Sequence, residues 1–132
     1  METQVMYNTD LHFEHKLWQR ELTFWEDELK SFNNRLGELV TKWTDKNILA
    51  QLDHYQNQFI LHGTVIDKLQ EDITMHEVNM SAHYKKDEDV LNYSFVKKHI
   101  EFRNKMETQR HIYSELKKDF FRFISKYMLQ EK

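Results

Sequence analysis

Apolar residues recur along this chain in steps that alternate between three and four, in three long runs. The first is Leu11, His15, Trp18, Leu22, Trp25, Leu29, Phe32, Leu36, Leu39 and Trp43. The second is Ile48, Leu52, Tyr55, Phe59, His62, Ile66, Leu69, Ile73, His76, Met80 and His83. The third is Phe95, His99, Phe102, Met106, Gln109, Tyr113, Leu116, Phe120, Phe123 and Tyr127. A 3-4 repeat sustained this long puts one stripe along each of three helices and packs the stripes knobs into holes.

The runs break twice. At the first break Thr44 can cap a new helix, with Asp45 favourably placed in its first turn. The second break is the charged stretch Lys85, Lys86, Asp87, Glu88 and Asp89, which offers further N-cap residues. Asn8, Thr9 and Asp10 form a cap cluster near the start. The spacing predicts helices over residues 10–42, 45–84 and 89–129, each about 50–60 Å long at 1.5 Å per residue. Short connections force antiparallel neighbours. The expected fold is an all-α, up-down-up three-helix bundle of coiled-coil type, one domain over residues 1–132, with residues 1–9 flexible.

Tight turns also set the register. Trp43 faces Ile48, and the layers then assemble from the far end: Leu11 with Met80 and Phe95, His15 with His76 and His99, Trp18 with Ile73 and Phe102. Further along, His62 joins Leu29 and Tyr113, whose phenol is expected to hydrogen-bond it. Gln109 lies with Trp25 and Ile66, within reach of the indole N–H. His83, with Asn8 and Asn92, is expected to cap the bundle end.

Composition agrees with this picture. The 132 residues include no Pro and only two Gly, as long uninterrupted helices require. The absence of Cys removes disulfides, thiolate metal sites and cysteine nucleophiles together. No basic region followed by an apolar run opens the chain, and no stretch approaches a membrane span, so a cytoplasmic, soluble protein is expected. A net charge of −3 gives no reason to expect a nucleic-acid partner. The third helix is basic and the second acidic, which reads as charge complementarity between those two helices.

The histidine layer is the one feature that carries chemistry. Three imidazoles meeting on a bundle axis need partners for their ring nitrogens, and three cationic rings would repel. A single transition metal held by His15, His76 and His99 is one solution, with zinc the first expectation. Glu14, Glu77 and His12 flank the layer as a fourth ligand or as groups orienting a ligating ring. A hydrogen-bonded polar layer that fixes register is the other solution. Familiar motifs are missing: no Glu-x-x-His step exists for a di-iron centre, and Met80 stands where a His-Glu-x-x-His zinc protease motif would need its second histidine.

Phe24, Ile60, Leu61, Phe121 and Met128 fall at outward positions and mark surfaces for a protein partner or a second copy of the chain. The first functional expectation is therefore a non-catalytic interaction or scaffold module. The second is a transition-metal-binding protein, and the third a zinc-dependent hydrolase at the same histidines.

Overall fold

Three helices form where the repeat predicts them: α1 over Asn8–Val40, α2 over Lys46–Tyr84 and α3 over Tyr93–Met128. The structure is a computed structural model and describes residues 8–84 and 93–128. Asn8 and Thr9 belong to α1, earlier than the expected start. The remainder of the expected flexible stretch, the turn at 85–89 and the polar cap at His83 lie outside the described residues and side chains. No helix is long and apolar enough to cross a membrane, among the described residues.

Asp45 rather than Thr44 caps α2. Its Oδ1 accepts from the backbone N–H of Asn47 at 2.8 Å and of Ile48 at 3.3 Å, and its carbonyl accepts from Leu49 N–H at 3.0 Å. The carboxylate thus takes two of the orphan donors that every helix start exposes. Asp45→Ala is expected to destabilise the fold by about 1 kcal/mol, read by urea unfolding.

Every buried residue among those described is a member of one of the three runs. Phe32, Trp43, Tyr55, Phe95 and Tyr127, at the rims and ends, are partly buried. The antiparallel α1–α2 register is marked by His15 with Glu77 and by Gln19 with Thr74. Tyr55 donating to the Asp119 carbonyl marks that of α2 with α3.

Helices α1 and α3 run parallel, and a ladder of ion pairs shows it. Glu14 pairs with Arg103, Glu21 with Arg110 and Glu28 with Lys117, one step every heptad on both helices. The carboxylates occupy g positions and the cations e positions, the pairing that parallel coiled helices favour. Arg103, Arg110 and Lys117 therefore find their carboxylates on α1, and Lys98, Lys118 and Arg122 find theirs within α3, not on the acidic α2 as expected. Partly exposed pairs of this kind contribute at most about 1 kcal/mol each, so they select register more than they stabilise.

The His62 layer also differs from expectation. Tyr113 turns its hydroxyl outward and donates to Glu28 at 3.0 Å. His62 Nδ1 instead pairs with the Gln109 amide at 2.7 Å, so the two buried polar residues of that region satisfy each other. The apolar core falls into two clusters. The large one runs from Trp18 to Phe123, and the small one is Leu11 and Met80 with Phe95 and Val96 against them. The histidine layer lies between.

Candidate metal centre

The structure brings His15, His76 and His99 together, one from each helix. Their side chains are nearly sealed from solvent, with exposures of 1%, 5% and 0%. Ring centroids lie 5.2 Å apart for His15 and His76, 4.9 Å for His15 and His99, and 6.5 Å for His76 and His99. One nitrogen of each ring lies within 4.8 Å of the other two. Aromatic rings close around them: Trp18 stacks on His99 at 4.7 Å, and Phe102 and Phe95 stand 5.4 and 6.0 Å from His76.

Both flanking carboxylates act on ring nitrogens. Glu77 Oε2 is 2.5 Å from His15 Nδ1, and Glu14 Oε1 is 2.5 Å from His99 Nε2. Between them, His15 Nε2 and His99 Nδ1 face each other at 3.0 Å. His12 Nδ1 contacts the other oxygen of Glu77. Arg103 grips Glu14 through two nitrogens, at 3.2 and 2.8 Å.

Counting protons along this row exposes a shortage. Glu77, His15, His99 and Glu14 make three contacts, whereas two neutral imidazoles carry two N–H groups. If each ring donates outward to its carboxylate, the two nitrogens facing each other across 3.0 Å are both bare lone pairs. A third proton or a metal cation would complete the row. His76 Nε2 lacks a partner as well: it is buried with no hydrogen bond.

The surroundings resist the proton. Burial, then the neighbouring rings of His99 and His76, push His15 down to about 3. Burial, then the neighbouring His99 ring and the Lys98 ammonium, push His76 to about 4. Burial also lowers His99, outweighing the pull of Glu14. Burial would raise the Glu14 carboxyl, but the hydrogen bonds of Arg103 and His99 and their charges hold it below its ordinary value. The row therefore consists of neutral imidazoles beside an ionised carboxylate, the protonation state in which imidazole ligates metals.

The spacing of the His15–His99 pair suits an ion. Two nitrogens bound at 2.0–2.1 Å with a tetrahedral angle sit about 3.3–3.4 Å apart, so His15 Nε2 and His99 Nδ1 need separate by only a few tenths of an ångström. Carboxylates on the outward nitrogens are the usual means of fixing a ligating ring's tautomer and orientation.

Of the outward apolar residues, Phe24, Ile60, Leu61 and Phe121 are 57%, 57%, 56% and 48% exposed. Phe24 lies under the Lys117 ammonium, and Phe121 sets its ring against the edge of Phe32. The side chain of Met128 lies outside the described ones. The sequence pattern places Glu14 and Glu77 beside the layer but does not single out Arg103. The heptad pairing of Glu14 with a cation on the third helix was the signal that could have found it. Comparison with family models, curated proteins and solved structures finds no match to this chain.

Proposed function

We propose that this protein binds one transition-metal ion in the layer of His15, His76 and His99, and that the ion ties its three helices together near one end of the bundle. The observation that carries this reading is the pair of ring nitrogens facing at 3.0 Å while carboxylates occupy both outward nitrogens. His76 supports it too, with one ring nitrogen within 4.8 Å of theirs and a buried Nε2 that has no partner. Three neutral nitrogens suit zinc, copper, nickel or iron, and Glu77, which meets no Lys or Arg among the described contacts, lies beside them to offset the charge of a buried dication. Burial of all three rings favours a structural or carrier site over a hydrolytic one.

The test is zinc titration of tag-free full-length protein freed of metal, read by calorimetry and by thermal unfolding. One zinc per chain is expected, with a stabilisation of about 2.7 kcal/mol at a hundredfold excess of free zinc over Kd. Glu77→Ala should weaken zinc binding about 10–100-fold, because His15 loses the group that orients it. No uptake by the wild type would remove the metal reading. The exposed Phe24, Ile60 and Leu61 favour a second reading, in which the outer faces dock a partner, tested by sedimentation of the protein across concentration.

A further inference from the structure

We propose, building on the metal-binding reading above, that His12 and Glu77 form a transit site through which a divalent metal ion reaches and leaves the buried layer. The three layer histidines have almost no exposed surface, and among the described residues the groups that touch their ring nitrogens and also reach solvent are the two flanking carboxylates, Glu77 and Glu14. The two are not equivalent.

Glu14 is already held by His99 and by two nitrogens of Arg103. An approaching cation would meet a guanidinium there. Glu77 has different company. One of its oxygens contacts His12, and the other contacts His15. The His12 side chain is 47% exposed, Glu77 is 19% exposed and His15 is 1% exposed. These three residues make a graded path from solvent to the interior, and each step ends in an atom that can ligate a metal.

His15 joins the two sites. Its Nδ1 faces Glu77 and its Nε2 faces His99, so one side chain borders both the transit pair and the layer. The pair of His12 and Glu77 supplies an imidazole nitrogen and a carboxylate, enough to hold an ion loosely while its hydration shell is exchanged. Such a pair catalyses exchange in both directions. It should speed loading and unloading more than it deepens the final affinity.

Cobalt(II) is the probe, mixed with metal-free full-length protein in a stopped-flow instrument. Its ligand-field absorption reports coordination, and quenching of Trp18, stacked on His99, reports arrival at the layer. His12→Ala and His12→Asn are both expected to slow uptake and release about tenfold, with Kd changing by less than the rates. His12→Cys, which restores a ligating atom, should recover the rates. Unchanged rates in His12→Ala would overturn the transit site while leaving the layer as a metal site. The same follows if His12→Asn behaves as wild type, because hydrogen bonding to Glu77 would then suffice. A weaker Kd caused by faster release alone would make His12 a ligand of the bound state and also overturn the proposal. No cobalt uptake by wild type would overturn the layer and the transit site together.

Discussion

Metal-free protein is expected to lose about 4 kcal/mol of stability between about pH 7.5 and pH 5 from His15 and His76 alone. Burial and the neighbouring rings depress both groups in the folded protein, to about 3 and about 4. An unfolded histidine titrates near 6.5. Between those values the unfolded chain binds protons that the folded chain refuses, so stability falls as the pH falls. It is fully present above about 6.5 and is lost progressively down to the folded values, at up to about 1.4 kcal/mol per pH unit for each histidine. His99 and His62, also lowered by burial, act in the same direction. Glu14 enters later: its carboxyl is depressed in the fold, so its contribution persists above the ordinary carboxylate range and disappears below it. Urea unfolding with a chelator present, followed by tryptophan fluorescence at several pH values, gives the curve. A flat profile between pH 7.5 and 5 would mean that the layer already carries its third proton at neutral pH, and the burial argument would fail.

How far the sequence alone reaches depends on which interaction sets each feature. Heptad spacing determines which residues face the axis, and each described buried residue lay on a predicted run. The layer of His15, His76 and His99 followed because the first turn, from Val40 to Lys46, leaves α1 and α2 little freedom to slide. Finer choices were made by side chains long enough to have alternatives. Tyr113 could reach His62 or the rim, and Glu28 with Lys117 beside it offers a charged acceptor at the rim. Asp45 took the cap from Thr44 because a carboxylate one residue later reaches both Asn47 and Ile48. Overall charge points the cations of α3 toward α2, whereas the g and e positions of a parallel pair bring Arg103, Arg110 and Lys117 to α1. Periodicity shows that three rings share a layer. It does not show which nitrogen faces which, and that detail makes the layer a candidate ligand set.

Replacing His76 by leucine is expected to separate stability from metal binding. His76 Nε2 is buried without a partner, and an unsatisfied polar atom of that kind costs about 1–3 kcal/mol. Phe95, Phe102 and the small cluster of Leu11 and Met80 border or flank the layer, so an aliphatic side chain would join the two halves of the core. In the presence of chelator, His76→Leu should therefore unfold at higher urea than wild type, a gain of about 1–3 kcal/mol with an unchanged m value. The variant should also lose most of its zinc affinity, since two nitrogens and solvent replace a three-nitrogen site. With zinc in excess the order should reverse, because wild type gains binding energy that the variant cannot. A layer that existed only to fix register would give another pattern: zinc would shift neither protein, and the leucine variant would be the more stable under both conditions. The reversal is the informative result, since it would mean that the apo bundle keeps an unfavourable histidine whose compensation comes with the ion.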